Sequence, residues 1–200
     1  MRLPRVLAAL ALALAAAATR AQVPGNFQLQ TFEPAAPGDV LFSARDAAGL
    51  DRGPTGGLTV SWAAGRLVLR QDGQEVPGGR LVHGQVWGWA AASLPVAGRA
   101  VVDLAVPVAL HQTGSQPYPD LAKVAAAGLG DLRLGARYPV LQHPGYALAV
   151  AARLWLPTGA RDAFASDGKA AFEPGLVASG ERGDLAWSGG LGWLFRAKED

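Results

Sequence analysis

The residues able to do chemistry are few, and their spacing does not gather them. His83, His111 and His143 are the only histidines, and they fall on separate strands or turns without the spacing of a metal site. There is no cysteine, which removes thiol nucleophiles, disulfides and Cys-based metal centres. Ser43, Ser61, Ser93, Ser115, Ser166, Ser179 and Ser188 have no Gly-x-Ser-x-Gly context, so an acyl-transfer nucleophile gains no support. The stretch GLGDLRLG (128–135) has the look of a dinucleotide loop. That fingerprint needs a strand before it and a helix after it, and here the pattern simply continues as a strand. LPTG (156–159) reads as a strand end and turn rather than a phosphate loop. Asp120, Asp162 and Asp167 read as solvated loop charges, with weak cation binding as the alternative. The expectation is a non-enzymatic chain with no catalytic residue, no metal and no cofactor.

The stronger signal is alternation. In GLGDLRLGARYPV (128–140), Leu132, Leu134 and Tyr138 point one way and Asp131, Arg133 and Arg137 the other, because successive strand side chains face opposite sides. By the same parity Asp103 and Arg153 join the charged side. Either the charges face water outside a soluble sheet, or they face inward while the apolar side meets lipid. An Arg or Lys on the lipid face near mid-membrane costs about 2–4 kcal/mol, whereas inside a barrel it meets water or a counter-charge. Asp103, Asp131, Arg133, Arg137 and Arg153 are therefore expected to line a lumen, arginine pairing with aspartate across neighbouring strands. Tyr138, Tyr146, Trp187, Trp193 and Phe195 fall on the apolar side near strand ends and are expected to form interfacial girdles.

The elements that must position these residues are strands. Seven segments read so: 56–62, 80–93, 99–112, 128–140, 145–157, 170–179 and 183–196. The third is the cleanest, with Val102, Leu104, Val106, Val108 and Leu110 on one face and Asp103, Pro107 and His111 on the other. No helical period appears after the N-terminus. Strand pattern alone also fits the inner face of a soluble β-sandwich. The connections discriminate: about 17 residues after the first strand, within which RLVLR (66–70) could extend a strand, then LPVAG, then TGSQPYPDLAKVAAA, then LQHP, then TGARDAFASDGK, then GER. Long and short alternate, as in outer-membrane barrels with short periplasmic turns and longer extracellular loops.

The N-terminus supplies a compartment. MRLPRVLAALALALAAAATRA carries Arg2 and Arg5, an apolar run and a small-residue end, the layout of a secretory signal peptide cleaved after Ala21. The 200-residue chain has 18 basic and 16 acidic residues. Cleavage removes Arg2, Arg5 and Arg20 and no acid, leaving 15 basic residues against 16 acidic ones, so nucleic acid is not an expected partner. Only 17% of residues are charged, low against about a quarter in soluble domains. The expected organisation is a signal peptide at 1–21, an extended periplasmic segment at 22–55 and a barrel at 56–200.

FQLQTFEPAAPGDVLFSARDA (27–47), directly after the leader, resembles the opening of OmpA-family outer-membrane proteins of myxobacteria. LAVPVALHQTG (104–114), GLGDLRLGARYPV and ALAVAARLWLPTG (147–159) fit the same pattern. The Gly-x-Gly-Asp strand followed by one ending Leu-Pro-Thr-Gly is also similar to the barrels grouped with the MetA pathway of phenol degradation. The likeness covers most of residues 26–196. It implies an all-β fold, an antiparallel up-and-down transmembrane β-barrel in the bacterial outer membrane, with lipid as partner. Asp-rich repeats and a peptidoglycan-binding domain, which many OmpA-family proteins carry, are absent, so wall anchoring is not expected. Seven strands are an odd number, whereas bacterial single-chain barrels are even. This predicts a truncated barrel; a missed strand within 27–45 or at 66–70, closing an eight-stranded one, is the alternative. The expected role is porin-like passive transport of small solutes or envelope structure. The rivals are a soluble periplasmic β-sandwich binding module and a membrane-embedded hydrolase with a reactive serine. Neither solute identity nor oligomeric state is legible.

Overall fold

The computed structural model describes residues 28–29, 32–48, 53–115 and 124–197, apart from the side chain of Arg66. The leader at 1–21, Phe27 and Asp120 lie outside the described residues. Among the described residues nine strands form one antiparallel sheet: β1 (Thr55–Gln71), β2 (Gln74–Val96), β3 (Ala100–Thr113), β4 (Gly128–Leu129), β5 (Leu132–His143), β6 (Tyr146–Leu156), β7 (Ala171–Arg182), β8 (Leu185–Gly192) and β9 (Phe195–Arg196). The order is β1-β2-β3-β5-β6-β7-β8, each strand beside its sequence neighbour, and the sheet curls into a half-barrel. β4 pairs with β3 just above β5, and β9 pairs with β7 just beyond β8. Each short piece thus completes a neighbouring strand, so the path holds seven strands.

The two faces differ in side-chain size as much as in polarity. On β6, Tyr146 and Val150 are exposed on one face, while Ala147, Ala149 and Ala151 are buried on the other. Leu134 is 39% exposed and Val150 44%, and Leu58, Val60, Trp62 and Leu191 are more open still. No second sheet covers these side chains among the described residues. The β-sandwich alternative fails on this point, because its apolar faces would be the closed core.

All but one of the turns sort by length to one end or the other. Residues 97–99, 144–145 and 183–184 make tight links at one end, and 114–127 and 157–170 make long ones at the other. The expected 17-residue loop after the first strand is not a loop. β1 and β2 run on through it to a two-residue turn, Asp72-Gly73, with φ of 52° and 81°. Both values lie in the left-handed region, which suits a type I′ turn whose twist matches the flanking strands. Residues 66–70 therefore extend β1, which is the strand-extension reading of RLVLR, and are not an eighth strand; the described part of 27–45 is not a strand either. β3 pairs with β2 only as far as Gly84↔Thr113, so the β1–β2 tip projects beyond the rest of the sheet.

The inner face is filled by chain. Residues 32–48, a strap without ladder pairing, cross it from the long-loop end toward the tight-turn end. Leu29 donates its N–H to the Phe164 carbonyl at 3.1 Å. Farther on, Thr55 and Ser93 donate hydroxyls to the Pro37 carbonyl at 2.7 and 2.9 Å. The Ala47 N–H donates to Ser179 Oγ at 2.8 Å, and Ala47 packs on Ala147, Ala149, Ala151 and Val177. The small residues of β6 leave the room that the strap occupies. The long loops also fold inward: Ala163 and Ala165 pack with Trp87 and Ala109, and the Gln112 amide donates to the Ala163 carbonyl at 2.8 Å.

Candidate functional site

The charged side chains meet along the inner face where the strap crosses β3, β5, β6 and β7. Arg153 stands opposite Glu173 in the β6–β7 register, and its Nη2 donates to both carboxylate oxygens at 2.7 and 2.8 Å. Arg133 stands opposite Trp155. From the strap, Glu33 reaches between them. Its Oε2 accepts from Arg133 Nη1 at 3.2 Å and Arg153 Nη1 at 3.3 Å, and its Oε1 accepts from Trp155 Nε1 at 2.8 Å. The Arg153 guanidinium also lies over the Trp155 ring, 5.0 Å from its centroid. Arg45, also on the strap, donates to Glu173 at 3.1 Å. Asp103 lies 3.6 Å from Arg133 Nη2.

Asp103 reaches that position over a glycine. Gly135 faces it across the β3–β5 ladder, and a Cβ on Gly135 would lie 2.1 Å from an Asp103 carboxylate oxygen. Any larger residue would displace the carboxylate. Nearer the tight turns, Arg137 pairs with Asp39 of the strap at 2.6 Å, with side chains 5% and 0% exposed. The strap is thus held by ion pairs at three places. Buried pairs of this kind lose desolvation energy and regain it only through close, hydrogen-bonded geometry.

Four of the five residues expected in a lumen, Asp103, Arg133, Arg137 and Arg153, lie along this seam. Their partners differ from the expected cross-strand aspartates: only Asp103–Arg133 is such a pair, and Glu33, Asp39 and Glu173 supply the closer carboxylates. Asp131 stands apart. It is buried, and its Oδ1 accepts the Gly159 N–H at 3.0 Å, so it ties the 157–170 loop to the start of β5. Glu173 was open to the parity argument, since its neighbour Phe172 is exposed on the apolar side. Glu33, Asp39 and Arg45 had no such signal, because the strap has no period of its own.

Tyr138, Tyr146, Trp187, Trp193 and Phe195 are all exposed. Tyr146 stands at the β5–β6 turn, stacked on His143 at 4.9 Å. Tyr138 lies inside β5, which continues to His143, so it does not end its strand. His111 is exposed rather than aligned with Asp103. A bulge in the β2–β3 ladder pairs Val86 with His111 but Trp87 with Ala109, and past it Gln112 takes the buried side. His83 Nε2 lies 2.9 Å from Ser115 Oγ. Among the described residues no three His, Asp or Glu side chains gather as a metal site.

A single curled antiparallel sheet, with large apolar side chains bare on one face and arginines buried on the other, defines an open β-barrel. Comparison with protein families agrees and is more specific: the sequence profile of the MetA-pathway of phenol degradation family matches residues 48–200. The chain belongs to that family. The match begins where the strap ends, and the likeness to the OmpA family finds no support in it. No curated protein and no solved structure matches.

Proposed function

We propose that this chain is a non-enzymatic wall of an outer-membrane β-barrel, and that its charged inner face borders a path for small solutes. The observation that carries the reading is the inverted polarity of the sheet. Leu58, Val60, Trp62, Leu134 and Val150 are bare, whereas Arg133 and Arg137 are buried. In water such an apolar surface would be a liability; in hydrocarbon it is the required one. The two long connections gather at one end and three tight ones at the other, which suits extracellular loops and periplasmic turns, the tight tip of the extended β1–β2 hairpin lying at the long-loop end. Among the described residues β1 pairs only with β2, and β8 only with β7. Open edges are not tolerated in lipid, so in a membrane both need strand partners.

A structural envelope role is the second reading, favoured by one observation: the strap and the inward-folded loops occupy the inner face. Planar-bilayer conductance of the refolded protein separates the two. Discrete channel steps support transport, and stable insertion without steps supports the structural role. A protein that stays monomeric in buffer without detergent and ignores liposomes would overturn both.

A further inference from the structure

Glu33 meets three N–H donors from three side chains, all fixed on adjacent strands of the sheet. The carboxylate itself comes from a segment that forms no ladder. Two guanidinium groups and an indole N–H converging on one carboxylate are the donor set of carboxylate recognition. The Arg133 side chain is 4% exposed and the Arg153 side chain 22%, so the donors work in a largely dry setting where charge-assisted bonds are strong.

We propose that Arg133, Arg153 and Trp155 form a binding site for small organic monocarboxylates, and that Glu33 is its intramolecular occupant. The proposal rests on reading the inner face as solute-facing. The charge count favours a monoanion. Without Glu33, the guanidinium groups of Arg45, Arg133 and Arg153 face the carboxylates of Asp103 and Glu173, which leaves one positive charge uncompensated. Space for a short tail is present: a cavity of about 340 Å³ adjoins the seam, lined by Asp103, Arg133, Arg153 and Glu173 among others. Two donors are still to be used, since Arg133 Nε and Arg153 Nε are buried without a partner among the described residues. An internal occupant lowers apparent affinity by the fraction of time that it holds the site.

Saturation-transfer NMR on the full chain refolded in detergent tests this, with butyrate as probe and butanol as matched neutral control. Glu33→Ala and Glu33→Gln are each expected to strengthen apparent butyrate binding at least fivefold over wild type. Butanol should not respond, and adding Arg153→Gln to Glu33→Gln should return the signal to background. A nitroxide at Ser43, on an otherwise native chain, is expected to gain mobility with butyrate and not with butanol, as the strap is displaced. Equal butyrate signals in wild type and in Glu33 variants that keep the native circular dichroism would overturn the proposal. If neither variant folds, the Ser43 label decides, and a label unmoved by butyrate overturns it. Conductance is not read, so a protein without channels could still bind butyrate, and one with channels could fail to.

Discussion

Asp39→Asn is the sharpest perturbation of the strap. Asp39 and Arg137 form the most buried ion pair in the seam, at 2.6 Å with side chains 0% and 5% exposed. At an effective dielectric of about 20, two unit charges at that distance attract by roughly 6 kcal/mol. Desolvation cancels much of this, and breaking a buried pair from one side typically costs about 3–5 kcal/mol because the remaining charge is stranded. The asparagine oxygen still turns a partial negative charge toward Arg137, so the low end, about 3 kcal/mol, is expected. Arg80–Glu75 is the internal control. That pair is 2.9 Å long but 58% and 39% exposed, so Glu75→Gln should cost about 1 kcal/mol or less. Urea unfolding of the liposome-refolded protein, followed by tryptophan fluorescence, measures both as a shift in midpoint at constant slope. The double variant Asp39→Asn/Arg137→Met removes both charges and should recover most of the loss. If Asp39→Asn costs no more than Glu75→Gln, the strap is not held by buried charge and the description of the seam is wrong.

Val150→Arg should cost about 2–4 kcal/mol in a bilayer, since Val150 is bare on the apolar face; equal unfolding midpoints for this variant and wild type in liposomes would contradict that. Gly135→Ala should displace Asp103 from Arg133, because the added Cβ meets the carboxylate at 2.1 Å. The expected cost is about 1–3 kcal/mol, read by the same unfolding assay. Asp103→Ala in the Gly135→Ala background should remove that cost, and a purely additive pair would count against the contact.

Alternation was legible wherever the outer face demands large apolar side chains. β3, β5 and β6 read cleanly because each alternates large residues outward with small or charged ones inward, and a one-residue slip would reverse both faces. Asp103, Arg133, Arg137 and Arg153 could be grouped for that reason. The Asp72-Gly73 turn was also readable, as Asp-Gly between apolar runs is a strong hairpin signal, but Gly78, Gly79 and Pro77 interrupted the pattern that follows it. The His111 bulge was not readable, since inserting one residue resets parity without changing composition. Least legible was the strap. Glu33 meets Arg133 and Arg153 across 100 and 120 residues, and no local period foretells such contacts. The seam was therefore half visible, as cations on a strand face whose nearest anions lay in a segment without pattern.

The central claim is that the bare apolar face meets hydrocarbon and the arginine-bearing face does not. The chain has no cysteine, so single cysteines can carry nitroxide labels along β6 from Tyr146 to Leu154, with the protein refolded into liposomes. Collision with oxygen should peak at residues 146, 148, 150, 152 and 154. At mid-strand those same positions should be shielded from a water-soluble nickel reagent. A scan without a two-residue period, or one in which residues 148, 150 and 152 collide with nickel more than with oxygen, would contradict the account.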